Sequence, residues 1–201
     1  MKLIPIIVFT VLLALIIFRP AVSNAAETKA RAILAGGCFW CLEHDFEKID
    51  GVLSAASGYT GGETVNPSYK EVSTGGTGHY EAIEVIYDPS KISYAELLDH
   101  FWINIDPTDA GGQFCDRGGQ YRSGIFYLDE EQKTAAEKSK DALEKAQSLP
   151  GPVVTPIIKA STFYPAEQYH QDYAKRNPIR YNFYRTTCGR NARLKELWEA
   201  K

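Results

Sequence analysis

One change of hydrophobic period, made across a pair of glycines, restricts the fold of this chain more than any other feature. Arg31-Ala-Ile-Leu-Ala35 is a short apolar run, Gly36-Gly37 follow, and from Cys38 onward apolar residues recur at helical spacing as Phe39, Leu42, Phe46 and Ile49. The pattern predicts a strand, a tight turn and a helix in immediate succession. Residues 52–59 and 80–87 are rich in β-formers, and the second run alternates Tyr80, Ala82-Ile83, Val85 and Tyr87 with acidic residues before Asp88-Pro89, so both read as strands. Ser93 is placed to cap a helix through Ala95, Leu97, Leu98 and Phe101, and residues 124–128 read as a further short strand. Residues 129–149 predict an Ala, Lys and Glu helix with Ala135, Ala142, Ala146 and Leu149 along one line and an Asp141 to Lys145 pair one turn apart. A strand is expected at 153–158, a short helix at 166–175 and a last helix at 191–200 with Leu194, Leu197 and Trp198 on one side. Strands and helices interleaved around one core give an α/β domain, a mixed sheet covered by helices.

The length of 201 residues suffices for a single globular domain. Its 22 basic and 25 acidic residues nearly cancel, and the basic ones are scattered, which argues against nucleic acid and for a small or peptide ligand. The first residues form a separate unit. Met1-Lys2 is a cationic start, an apolar run from Leu3 to Phe18 ends at Arg19-Pro20, and Ser23-Asn24-Ala25 supplies the small residues that a signal peptidase reads. Residues 1–25 are therefore expected to be a signal peptide cut after Ala25, with an uncleaved anchor as the rival reading and the only route to a membrane. The domain of residues 26–201, with a mobile C-terminal tail, is then expected outside the cytoplasm, in the periplasm or beyond, and as a monomer.

Two long glycine-rich connections, residues 60–79 and 108–123, carry tyrosine, glutamate and aspartate, and loops of that length inside a compact domain are usually functional. Four cysteines, Cys38, Cys41, Cys115 and Cys188, allow three pairings if all form structural bridges. Cys38 stands where the glycines meet a helix N-terminus, where unpaired N–H groups and the helix dipole favour an anion, so its thiol is expected to ionise readily and act as a nucleophile. Cys38-Phe-Trp-Cys41 is formally the Cys-x-x-Cys of a thiol-disulfide oxidoreductase, the main rival enzyme. The non-enzymatic rival is an exported binding module held by two disulfides. The histidines, His44, His79, His100 and His170, are dispersed and only one Cys-x-x-Cys pair occurs, so no metal site is expected. Gly75-Gly-Thr-Gly78 lacks the Lys-Ser or Lys-Thr of a phosphate cradle and reads as a turn.

Gly36-Gly-Cys-Phe-Trp-Cys-Leu-Glu43 resembles the active-site signature of type A peptide methionine sulfoxide reductases. Ser57-Gly-Tyr-Thr-Gly-Gly62, Asn66-Pro-Ser-Tyr69, Thr77-Gly-His-Tyr-Glu81, Tyr87-Asp-Pro89, Asp106-Pro-Thr108, Asp116 with Gly119-Gln-Tyr-Arg-Ser123, and Glu167-Gln-Tyr-His170 are similar to further blocks of that family, in its order. The resemblance implies a two-layer sandwich of ferredoxin-like character with long loops, and reduction of the S epimer of methionine sulfoxide, free or in proteins. It implies Cys38 as nucleophile, Phe39 and Trp40 around the substrate methyl group, Glu81 as the acid, Tyr69 and Tyr121 at the sulfoxide oxygen, and Asp116 near the site. Cys38 would be left as a sulfenic acid to be resolved by a second thiol. Cys188, in Tyr184-Arg-Thr-Thr-Cys-Gly-Arg near the C-terminus, is the favoured resolving cysteine, with Cys41 and Cys115 open as alternatives. No cofactor is implied beyond an external dithiol, a thioredoxin-like donor.

Overall fold

A computed structural model describes residues 29–199 of the chain, so the expected signal peptide lies outside the described residues. In order, the chain forms β1 (Ala30–Gly36), α1 (Phe39–Phe46), β2 (Val52–Thr60), α2 (Tyr69–Ser73), β3 (Tyr80–Tyr87), α3 (Tyr94–Trp102), β4 (Gly112–Gln113), β5 (Asp116–Arg117), β6 (Ser123–Tyr127), α4 (Glu130–Lys145), β7 (Ile157–Lys159), β8 (Tyr164–Pro165), α5 (Tyr173–Arg176), α6 (Pro178–Thr187) and α7 (Arg190–Trp198). Six strands make one mixed sheet in the order β7-β6-β1-β3-β2-β8. Its neighbours are antiparallel except β6 and β7, which run parallel. No described helix is long and apolar enough to cross a membrane.

Side-chain alternation along the central strands divides the core into two faces. Ala32 and Leu34 of β1 with Ile83, Val85 and Tyr87 of β3 face one way and pack with Leu42, Phe46, Leu97, Leu98, Phe101 and Ala136 from α1, α3 and α4. Ile33, Ala35, Tyr80, Ala82 and Phe126 face the other way, under Leu128, Ile158, Ala160 and Phe163. Glu81 keeps step with Ile83 and Val85, so the pleat aims its carboxyl at the α1 side of the sheet.

The helix start expected at Ser93 is built, and a second, at Ser68, lies within the connection read as a loop. Ser93 caps α3 and Ser68 caps α2, each in a capping box with the glutamate three residues on. The helix expected over 129–149 is capped by Asp129 but stops at Lys145, because Ala146 forms its C-cap and Gln147 takes a left-handed φ of 47°. The line of Ala146 and Leu149 is therefore not helical, the fully buried small residue is Ala136, and among the described residues no ion pair joins Asp141 to Lys145. The strand expected at 153–158 is confined to β7, since Pro156 has no N–H for a ladder and Val154 donates its N–H to Pro107 O at 2.8 Å instead. Residues 166–175 are mostly turns. The Gln171 side chain meets the backbone of Ser57 and Ala166, and Asp172 is left-handed at φ 51°, leaving a helix only at α5.

The segment expected as a tail folds into α6 and α7. Arg185 donates to Asp45 and to Tyr181 Oη at 2.8 Å each, tying α6 to α1. Arg190, only 1% exposed, donates to Gly36 O at 3.2 Å and Asn104 O at 2.6 Å and stacks on the Phe114 ring. These contacts place the α6–α7 junction, with Cys188 and Gly189, beside the end of β1.

Candidate active site

The turn between β1 and α1 fixes the position of Cys38. Gly37 has φ +83°, and a Cβ there would stand 2.6 Å from Gln113 Cβ, so only glycine fits without displacement. Cys38 becomes the N-cap of α1, and the N–H of Phe39, among the first of the helix and without an intrahelical acceptor, donates to Glu81 Oε2 at 3.2 Å. Glu81 thus faces the mouth of α1 from β3, as its place in the strand's alternation requires.

Between them lies a cavity of about 110 Å³ lined by Cys38, Phe39 and Trp40 from the start of α1, Tyr69 from α2, Glu81 from β3, Asp116 from β5, Tyr121 and Tyr184. At ~30 Å³ for each water's share of liquid, that is room for one small group. Every residue singled out in the sequence for substrate or acid chemistry meets here. Trp40 is held edge and face: its indole stacks on Tyr173 at 3.7 Å between ring centres, its N–H donates to His170 Nδ1 at 3.0 Å, and the Tyr184 ring meets it edge-on. Glu167 accepts from Tyr69 N–H at 2.8 Å and from Tyr59 O–H at 2.9 Å, fixing α2 over the cavity.

Burial dominates the electrostatics. Glu81 is 2% exposed, and desolvation raises its pKa to about 8 although the Phe39 N–H favours the anion; the nearby Asp116 and Cys41 push the same way as burial. Asp116 is raised by burial too, opposed by the Tyr184 hydroxyl that donates to its Oδ2 and by Arg190. Burial works against the ready ionisation of Cys38 that the helix N-terminus predicts. The thiol is 6% exposed, and burial pushes it well above its ordinary value, with the hydrogen bond to Cys41 and the charges of Cys41 and Glu81 adding. Loss of water outweighs the helix N-terminus. Cys41 moves down to about 7, chiefly through its hydrogen bond from Cys38, with Arg190 and Arg185 helping against burial. At pH 7 the acid is therefore mostly protonated, and burial favours the neutral form of the Cys38 thiol.

Cys188 does not face Cys38 as a free thiol. It is bonded to Cys115, whereas Cys38 and Cys41 are unpaired. His79 does not touch Glu81: its Nδ1 accepts from Gly62 N–H at 3.1 Å and its Nε2 lies 2.8 Å from Thr64 O, holding the loop that follows β2. Cys115, Asp116 and Cys188 bring ligand-type atoms within 4.8 Å of one another, but the disulfide engages both sulfurs.

Tyr184 is the site residue that sequence reasoning passed over. It lies on α6, lines the cavity with Cys38, and its hydroxyl donates to Asp116 Oδ2. The available signal was the Asn177-Pro178 pair, a helix start with proline at its first position, which would have put Tyr184 on an ordered element. Replacing Tyr184 by Phe keeps the edge contact with Trp40 and removes the hydroxyl. The expected result is a fall in kcat of roughly 10- to 100-fold with KM little changed, since a hydrogen bond to an ionised group contributes about 1.5–3 kcal/mol. Steady-state kinetics check it, and an unchanged kcat would remove the hydroxyl from the chemistry.

A family model described as peptide methionine sulfoxide reductase matches residues 30–201. Peptide methionine sulfoxide reductase MsrA 2 of Caulobacter vibrioides is 49% identical over 193 residues, covering 96% of this chain and 97% of the relative. The MsrA of Streptococcus agalactiae is 54% identical over 168 residues, covering 84% and 98%. Among solved structures, reduced Mxr1 from Saccharomyces cerevisiae superposes with a TM-score of 0.71 at 34% identity, covering 76% of this chain and 88% of that one. Mxr1 in complex with Trx2 gives 0.53 at 25% identity, covering 77% and 91%.

Proposed function

Because the chain belongs to the peptide methionine sulfoxide reductase family, we propose that the cavity between Cys38 and Glu81 is where it takes the oxygen from a methionine sulfoxide. The chain reduces methionine S-sulfoxide, free or in proteins, to methionine at the expense of thiols. A thioredoxin-like dithiol is the reductant that the Mxr1 complex with Trx2 supports. One observation carries the assignment of roles: a nucleophilic sulfur and a neutral carboxylic acid face one another across a space of about 110 Å³ walled by Phe39 and Trp40.

The geometry supports the following division of labour. The substrate's methyl group lies against Phe39 and Trp40, and its oxygen turns toward Glu81, Tyr69 and Tyr121. Sulfoxide oxygen leaves poorly unless protonated, and Glu81, neutral up to about pH 8, donates that proton. Burial also raises Tyr69 and Tyr121, so both phenols stay protonated and donate to the oxygen as its charge grows. The Cys38 sulfur ionises only as it meets the electron-poor sulfur of the substrate, an economy that leaves no exposed thiolate for stray oxidants. It bonds to the substrate sulfur; the protonated oxygen then passes to the Cys38 sulfur as its bond to the substrate sulfur breaks, and the electron pair of the S–S bond leaves with methionine, so that Cys38 ends as a sulfenic acid. Cys188, one helical turn beyond Tyr184, then condenses with that sulfenic acid and expels water, once reduction of its bond to Cys115 has freed its thiol. No metal or organic cofactor enters this sequence. The leader read in residues 1–25 supports an exported enzyme, whose donor is then an extracytoplasmic dithiol protein.

Handedness follows from the three assigned directions. With the methyl in the aromatic wall, the oxygen at Glu81 and the methionine chain at the entrance, only one configuration at sulfur leaves its far side open to Cys38. With dithiothreitol as reductant, the S epimer is expected to be reduced at least about 100-fold faster than the R epimer, since an inverted centre leaves the buried donors unpaired. Equal rates for both epimers would overturn the assigned pose.

A further inference from the structure

Glu43 is a buried carboxyl that the reaction above does not use. It is 2% exposed, lies on α1 one turn beyond Phe39, and is not among the residues that line the cavity. We propose that Glu43 is a positioning residue for the substrate's methyl pocket: through the backbone of Asp172 it holds the two side chains that fix Trp40, and so limits the size of the group that the enzyme accepts on sulfur. The proposal rests on the place given above to the methyl group, against Phe39 and Trp40.

The chain of contacts is short. Asp172 takes a left-handed φ of 51°, a conformation that a non-glycine residue keeps only where its surroundings impose it. Its N–H donates to Glu43 Oε1 at 3.2 Å. On either side of Asp172 stand the supports of Trp40. His170, two residues before, accepts the indole N–H at 3.0 Å and meets the Phe39 ring at 5.0 Å between centres. Tyr173, one residue after, stacks on the indole at 3.7 Å with 6° between the planes. Gln171 ties the same segment to β2, accepting from Ser57 N–H at 3.1 Å and donating to Ser57 O at 2.9 Å.

The segment has two polar ties to α1 besides the Trp40 indole itself, and they differ in weight. Lys175 bridges Glu47 and Asp172 at the surface, where it is 58% exposed and water screens the pair. The bond from Asp172 to Glu43 is out of water, so removing its acceptor leaves a donor unpaired in the turn that already holds the left-handed residue. Burial raises Glu43 to about 7, with Glu47 and Asp172 pushing the same way against the Asp172 N–H and the Ser57 hydroxyl. A carboxyl accepts an N–H in either protonation state, so the link needs an acceptor oxygen at this position and not a charge.

Kinetics with two sulfoxides test this. The S-sulfoxides of methionine and ethionine, which differ by one methylene on sulfur, are compared with dithiothreitol as reductant in the parent, Glu43→Gln, Glu43→Leu and Glu43→Ala. The parent should prefer the methyl compound by about tenfold or more in kcat/KM, the scale on which one methylene is read by a fixed apolar wall. Glu43→Gln keeps the acceptor and should keep that ratio within about twofold. Glu43→Leu and Glu43→Ala remove it and should bring the two substrates within about threefold of one another. For methionine sulfoxide the loss should fall on KM, which rises about tenfold, while kcat changes by less than about threefold because Cys38, Glu81 and the tyrosines stay in place. Glu43→Ala adds no bulk, so a leucine variant that fails to fold leaves the test intact. Parent-like discrimination in the folded variants without an acceptor, an equal loss in Glu43→Gln, or a loss confined to kcat would overturn the proposal. A parent that reduces both sulfoxides alike would instead sink the placement of the methyl group against Trp40.

Discussion

Cys38→Ser is expected to lose reduction of methionine sulfoxide by on the order of 10⁴-fold or more, the scale on which removing a covalent nucleophile acts. Serine is a favoured residue at a helix N-cap, so α1 keeps its start and the variant should fold as the parent does. Its hydroxyl has no comparable reactivity toward sulfur and cannot end as the sulfenic acid on which the rest of the cycle depends. Methionine release measures the loss directly, and binding of the sulfoxide, read from the fluorescence of Trp40 in the cavity wall, should persist. Lost turnover with retained binding assigns Cys38 to the chemistry; retained turnover removes it.

Glu81→Gln should lower kcat by about 10² to 10⁴, the contribution of a positioned general acid. Glutamine keeps an acceptor for the Phe39 N–H, so the contact between β3 and α1 survives while the transferable proton is gone. The pH profile gives the sign. A carboxyl raised to about 8 by burial is in its acid form below that pH, so kcat of the parent should fall as pH rises through about 8, and the descending limb should be absent in Glu81→Gln. Cys38 is also raised and gains thiolate with rising pH, which acts in the opposite direction. A fall rather than a rise above pH 8 therefore identifies the acid as the limiting group.

The parts of this site that were legible in the sequence are those that local pattern dictates. Gly36-Gly37 had to turn, and alternation in Tyr80–Tyr87 sets Glu81 on the helical face beside Ile83 and Val85. The capping serine Ser93 marks α3, whereas α2, five residues long inside a glycine-rich connection, is not marked by any apolar period. The roles of Tyr69, Tyr121 and Asp116 came from resemblance, since nothing in their spacing relates them to Cys38. What was not legible depends on long-range packing. α6 lies in the stretch that the sequence reads as a tail, although Arg185 holds it on Asp45 of α1. Tyr184 enters the cavity only because α6 docks there. Cys115 and Cys188 are 73 positions apart, and sequence offered three pairings without a way to choose. A helix N-terminus at Cys38 is visible in the pattern of residues, whereas the desolvation that opposes ionisation of its thiol is not.

Burial favours the neutral forms of both Glu81 and Cys38 where they face one another across the cavity. The acid must retain its proton until a sulfoxide oxygen takes it. Infrared difference spectroscopy of the parent against Glu81→Gln reads that proton without turnover, through the carbonyl stretch that a protonated carboxyl shows and a carboxylate lacks. A Glu81 band present at pH 7 and lost through about pH 8 is the predicted result; a carboxylate already ionised at pH 6, with no such band to lose, would contradict the account.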